Sequence, residues 1–251
     1  VKAITKTVIA IGAYGIHFFP RIGAQYIHRA DPLPFMTTTP LPEKSPTPKP
    51  KSYAPAPRIP EGDRVELASL VKGEWLEIDV GPGRGGFMLE RAQLDPRIGI
   101  VGFEIKRKWA TIVDDRLAKH GLASRARVFA ENALDALPRL GPDGCLRRAY
   151  LHFPDPWWKK RHTKRLVMGD TFLEQIARLL EPNGELFVQT DVEERALQYE
   201  TRIGNSPLFT ANGDAPGSAR LAENPYGARS SREHRAIADG LPVHRLLYRK
   251  T

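Results

Sequence analysis

The chain has 251 residues, room for one large domain or for a domain with a tail. Lys and Arg total 38 against 29 Asp and Glu, a net charge of +9, which favours a polyanionic partner without separating RNA, DNA and anionic lipid. The single cysteine, Cys145, excludes an intrachain disulfide, argues against a cysteine zinc site and reads as a buried structural thiol.

Residues 1–35 do not resemble the rest of the chain. The stretch VIAIGAYGIHFF, Val8 to Phe19, is too short to span a bilayer and is interrupted by glycines and His17. With Lys2 and Lys6 ahead of it, it imitates a weak signal peptide. Translated upstream sequence, with Met36 opening the native chain, is the simpler reading. Ten of the 22 prolines fall between Pro32 and Pro60, so residues 1–62 read as a disordered, polyproline-biased tail and the folded domain as 63–251.

From Trp75 onward short apolar runs alternate with longer helical segments. WLEIDV is a strand, GPGRGG a glycine turn, and FMLERAQLD a helix closed by Pro96. IGIVGFE is the next strand, and Lys108 to His120 a helix with Gly121 past its end as a stop signal. ARVFA and RRAYLHF are the third and fourth strands. Asp170 to Leu180 is amphipathic, with Phe172, Leu173 and Ile176 on one face. ELFVQTD is a fifth strand, and Val243 to Lys250 a final one near the edge. Strict alternation of strand and helix implies an α/β fold, a parallel sheet covered on both faces.

Gly81, Gly83 and Gly85 sit where the first strand meets the first helix, allowing the backbone to turn sharply and approach a ligand. Glu104 ends the second strand, where an acid can accept hydrogen bonds from both hydroxyls of a ribose. The spacing alone does not separate NAD from S-adenosylmethionine. A GxGxG turn followed by Gly86 and Phe87 favours the latter, as does Glu77, read as a carboxylate near a sulfonium or amino group.

The stretch LHFPDPWWKKRHTKRL, Leu151 to Leu166, is the most specific in the chain. Pro154 and Pro156 must end the strand and present Asp155 in a stiff turn. Lys159, Lys160, Arg161, Lys164 and Arg165 come next as a basic loop, with Trp157 and Trp158 available for stacking or core packing. Acid, aromatic and cation at one strand end suit a site holding a base against a phosphate backbone. His162 has no second ligand at metal spacing, so no metal site is expected.

Taken together, EIDVGPGRG, GFEIKRK, HFPDPWWKKRHTKR, QTD and SSREHR resemble the bacterial tRNA (guanine-N7-)-methyltransferase family, from about Trp75 to Arg249. The resemblance implies a class I S-adenosylmethionine-dependent methyltransferase fold, Rossmann-like, its seven-stranded sheet ending in an antiparallel strand. Carried over position by position, it implies that Glu77, Glu104, Asn132 and Asp155 contact S-adenosylmethionine. Asp155 would also be the active-site acid. Lys159, Asp191, Ser230 and Glu233 would meet the substrate, the last two from the place of a Thr-x-x-Glu element. A tRNA partner, no membrane, a cytoplasmic monomer or homodimer and transfer to N7 of a variable-loop guanine are the resulting expectations. A methyltransferase for another RNA or an exocyclic base amine, and a silent RNA-binding protein of the same fold, are the competing readings.

Overall fold

The computed structural model describes residues 53, 56–154 and 167–251. The tail as far as residue 52 and the basic loop from Asp155 to Leu166 lie outside the described residues.

The described chain begins with β1 (Val65–Glu66) and α1 (Leu67–Leu70), then β2 (Trp75–Val80), α2 (Gly86–Leu94), β3 (Ile98–Phe103), α3 (Arg107–Lys119), β4 (Ala126–Phe129) and α4 (Ala133–Ala136). A 3-10 turn at Leu137–Arg139 leads into β5 (Leu140–Gly141) and β6 (Leu146–His152). Next come α5 (Asp170–Leu179), β7 (Leu180–Thr190), α6 (Glu193–Gly204), β8 (Phe209–Ala211), β9 (Arg220–Leu221), α7 (Ser231–Ala238) and β10 (His244–Lys250).

The main sheet runs β4-β3-β2-β6-β7-β10-β8, with β9 paired to β10. Strands β2, β3, β4, β6 and β7 are parallel. Strand β10 is antiparallel to both β7 and β8, so the expected seven strands are present and β9 adds a short eighth. From β2 the chain first winds outward through β3 and β4, then returns to the other side of β2 with β6. That reversal opens a crevice beyond the carboxyl ends of β2 and β6, the place where open α/β sheets bind ligands.

Alternation along the strands builds two cores. Ile78, Val80, Val101, Phe103, Leu151, Leu186 and Val188 face one side, with Phe172, Leu173 and Ile176 of α5. Ile98, Ile100, Tyr150, Phe187 and Leu247 face the other, with Phe87 and Met88 of α2 and Val113 and Leu117 of α3. Each large buried side chain contributes about 1.5–3 kcal/mol. Gly121 ends α3 at φ +73, the left-handed stop its sequence position implies. Cys145 is half-buried against the first core, and burial pushes its thiol up to about 11.

The packed body begins earlier than residue 63. Ala56 and Ile59 are buried, Ala130 donates its N–H to the Pro57 carbonyl at 2.7 Å, and Arg58 pairs with Glu131 at 2.6 Å. Arg139 donates to the carbonyls of Pro60 (2.6 Å) and Gly62 (2.8 Å). These residues carry little apolar periodicity, so composition alone assigned them to the tail; backbone hydrogen bonds hold them to the domain. Two truncations should behave differently in thermal melts. Removing residues 1–52 should leave the melting temperature nearly unchanged. Removing 1–60 should cost about 2–4 kcal/mol, mostly from the lost Ile59 burial. Equal melting temperatures for the two would show that the 56–60 strap contributes nothing.

Candidate active site

The turn after β2 holds three glycines in the left-handed region: Gly81 at φ +72, Gly83 at +55 and Gly85 at +68. They do different work. Gly81 and Gly83 line the cleft, and a Cβ at Gly81 would meet nothing within 4 Å. A Cβ at Gly85 would lie 2.1 Å from Cγ1 of Val113. Gly85 is therefore not a cleft residue: its lack of a side chain lets α2 and α3 pack closely.

Glu104, at the end of β3, is buried yet borders the cleft. Its Oε2 accepts from the Gly83 N–H at 3.0 Å and its Oε1 from the Lys106 N–H at 2.8 Å. The carboxylate is thus fixed across the glycine turn with further lone pairs to offer a ligand's hydroxyls. Ile105 comes next, 69% exposed on the same cleft, an apolar surface for a flat ring.

Glu77 departs from its expected cofactor role. It is fully buried and absent from the cleft lining. Its Oε2 accepts from Arg91 Nε at 3.0 Å and from the Tyr150 hydroxyl at 2.9 Å. Its Oε1 accepts from Arg91 Nη2 at 2.9 Å and Arg148 Nη1 at 3.1 Å. Arg148 continues to Glu185 at 2.7 Å, and Glu185 accepts from the Tyr226 hydroxyl at 3.2 Å. The charges balance, and a carboxylate so saturated has nothing left for a ligand.

Asp79 stands on the same face of β2, two residues nearer the glycine turn. It is buried and, like Glu77, absent from the cleft lining, and among the described residues neither carboxylate oxygen has a hydrogen-bond partner. Burial, then the nearby charge of Glu104, raises its pKa well above the ordinary carboxylate value. An uncompensated buried acid is costly unless a cation or donor arrives. Sequence reasoning missed it, although the signal was available. WLEIDV alternates, so Glu77 and Asp79 share a face, with Asp79 two residues closer to the turn.

Strand β6 ends at His152. The ring is buried against Phe87 with centroids 4.2 Å apart, and its Nδ1 meets the Gln189 side-chain oxygen at 2.8 Å. Burial pushes its pKa down to about 4 against the opposing hydrogen bond from Gln189, so the ring is neutral at physiological pH. Phe153 is next at φ +46, a left-handed conformation that costs a bulky residue about 1–2 kcal/mol. Its N–H donates to the Gln189 carbonyl at 2.8 Å, holding this strained turn to the end of β7. His152, Phe153 and Pro154 all line the cleft. Asp155 and Lys159, the next two predicted site residues, lie outside the described residues, as do Trp157 and Trp158.

Asn132 lines the cleft at the end of the third strand, but its side chain caps α4. Its Oδ1 accepts from the Leu134 N–H at 3.2 Å, while its Nδ2 donates to Asp135 at 3.0 Å. Asp191, just past β7, and Ser230, at the N-terminus of α7, line the cleft as well. Glu233 does not. Ser230 caps α7, its Oγ accepting from the Glu233 N–H at 3.1 Å. The Glu233 carboxylate is buried, accepting from Arg245 Nη2 at 3.0 Å and Asn224 Nδ2 at 3.0 Å. It ties α7 to Arg245 of β10 and does not reach the cleft.

Gly81, Gly83, Glu104, Asn132, Asp191 and Ser230 thus border one cleft of about 1900 Å³, and Glu77, Gly85 and Glu233 stand behind its walls. Among the described residues no group of three or more His, Cys, Asp or Glu is placed to hold a metal ion, and no helix is long and apolar enough to cross a membrane.

Comparison with known proteins identifies the family. The family model described as "Putative methyltransferase" matches residues 74–246. A tRNA (guanine-N(7)-)-methyltransferase of Trichormus variabilis is 33% identical over 177 residues, covering 70% of this chain and 81% of the relative. One from Anaeromyxobacter dehalogenans is 39% identical over 175 residues, covering 69% and 85%. Among solved structures, TrmN from Thermus thermophilus superposes with a TM-score of 0.51 at 19% identity, covering 74% of this chain and 47% of that one. This last likeness speaks for the fold alone.

Proposed function

The chain belongs to the tRNA (guanine-N7-)-methyltransferase family, and from that premise we propose that it methylates N7 of a guanine in the variable loop of tRNA. The observation that carries the reading is the meeting of Gly83, Glu104, Asp191 and Ser230 on one cleft, at the reversal of strand order. The residues present fit S-adenosylmethionine. Glu104 would take the ribose hydroxyls and Ile105 the adenine face. Gly81 and Gly83 leave room for close backbone approach. When bound, the cofactor supplies an electrophilic methyl on a sulfonium.

Guanine N7 carries a free lone pair and needs no deprotonation. The protein's own task is therefore to position the base, exclude water and offset the positive charge that grows on the purine ring. Asp155 would accept from guanine N1–H and N2–H and supply that nearby negative charge. Lys159 and the neighbouring cations of its loop would bind phosphates, giving salt-dependent affinity rather than sequence choice. Asp191 and Ser230 would meet the nucleotide from the opposite wall.

Incubation with labelled S-adenosylmethionine and unmodified tRNA, followed by nucleoside mass spectrometry, should yield 7-methylguanosine. A methylated exocyclic amine, or no product from a cofactor-loaded protein, would defeat the reading. Asp155→Asn should lower turnover by about 100-fold or more while changing cofactor affinity little, because the amide keeps the shape but presents a donor to a base that already donates. Near-normal turnover in that variant would reduce Asp155 to a turn former.

A further inference from the structure

Asp191 lies directly after β7, and among the described residues the single hydrogen-bond partner of its carboxylate is Arg232, whose Nη2 donates to Oδ2. The two come from different elements, the end of β7 and the start of α7, and both line the cleft. Arg232 lies in the first turn of α7, where the helix dipole disfavours a cation. Helix propensity therefore does not explain a guanidinium there; the ion pair does. The Arg232 side chain is 44% exposed and that of Asp191 14%, so the carboxylate is sheltered and the guanidinium faces outward. Thr190 Oγ1 accepts from the Val192 N–H at 3.2 Å, which fixes the backbone around Asp191 but leaves its side chain to Arg232.

A carboxylate held through Oδ2 keeps Oδ1 available and oriented, as a base contact requires. A bare carboxylate beside an RNA backbone would also repel phosphates, and a paired guanidinium cancels that charge. Resting on the proposed substrate role of Asp191, we infer that Arg232 is a positioning residue for the transfer: it aims the Asp191 carboxylate at the target guanine and neutralises it toward the RNA. A planar guanidinium does this better than an ammonium, because it is pre-organised and less strongly hydrated.

The test uses the full chain, unmodified tRNA transcript and S-adenosylmethionine. Arg232→Ala should raise KM for tRNA about tenfold and change kcat less than about threefold, with cofactor affinity within about twofold of wild type. Arg232→Lys should recover less than about half of that loss on a logarithmic scale. In an Asp191→Asn background, Arg232→Ala should add less than about twofold, since the group it positions has changed. Equal tRNA KM for Arg232→Lys and wild type, or a full tenfold loss surviving in the Asp191→Asn background, would overturn the inference in favour of a free phosphate-binding charge. If Asp191→Asn impairs tRNA use and Arg232→Ala does not, the positioning role falls while the role of Asp191 stands. An unchanged KM and kcat in Asp191→Asn removes the substrate role of Asp191, and the positioning role with it.

Discussion

Glu77→Ala is expected to destabilise the protein by about 3–5 kcal/mol, the usual cost of deleting one member of a buried ion network. The carboxylate accepts four hydrogen bonds, from the Arg91 and Arg148 guanidiniums and the Tyr150 hydroxyl, and is itself fully buried. Among the described residues, removing it leaves Arg148 hydrogen-bonded to Glu185 and Arg91 to the Tyr226 carbonyl alone, at 3.3 Å. Glu77→Gln keeps the shape but strips the charge that balances two arginines, and should cost about 2–3 kcal/mol. Urea unfolding reads this directly. Calorimetry with S-adenosylmethionine separates it from a binding role: at a temperature where Glu77→Gln is still folded, its affinity should be within about tenfold of wild type. A selective loss of cofactor affinity with full stability would restore Glu77 to the cofactor site.

Gly85→Ala should be the most damaging of the single-methyl additions in the glycine turn. An alanine at φ +68 is strained by about 1–2 kcal/mol. The new methyl would also lie 2.1 Å from Cγ1 and 3.0 Å from Cγ2 of Val113, so α2 and α3 must move apart, at about 1–3 kcal/mol more. The sum is about 2–5 kcal/mol. Gly81→Ala carries a similar φ strain at +72 but meets open space, and should cost only about 1–2 kcal/mol. Adding Val113→Ala to Gly85→Ala should return part of the packing loss and none of the backbone strain, which melting curves of the four proteins will show. Equal losses for Gly81→Ala and Gly85→Ala would mean that the helix contact is slack.

The strands were readable because each is an apolar run of the right length between turn signals, and the order of runs forces a parallel sheet. Glu104 was readable for a local reason, as the last residue of its strand. Glu77, Gly85 and Glu233 belong to motifs that sequence marks clearly, but motif membership does not say which side of the sheet a residue meets. For the two acids that depends on Arg91, Arg148 and Arg245, which come from other segments and saturate them, and for Gly85 on Val113 of α3. Asp79 hid because an acid in an apolar strand looks like one more motif letter until its lack of partners is seen. Strands β8 and β9, at three and two residues, are too short for any periodicity and exist because β10 offers them an edge.

That dependence bears on how the protein is made. On the main sheet β8 and β9 pair with β10 and with no other described strand, and β10 lies 33 residues or more beyond the end of β8 in the chain. During synthesis the five parallel strands can therefore assemble while β7 still shows an open edge and the later segments have nothing to pair with. Until residues 244–250 leave the ribosome, that edge is a template for any extended chain nearby. A pause in translation between Ala211 and His244 would prolong the exposure, and chains interrupted there should depend on chaperones or aggregate far more than chains completed through β10.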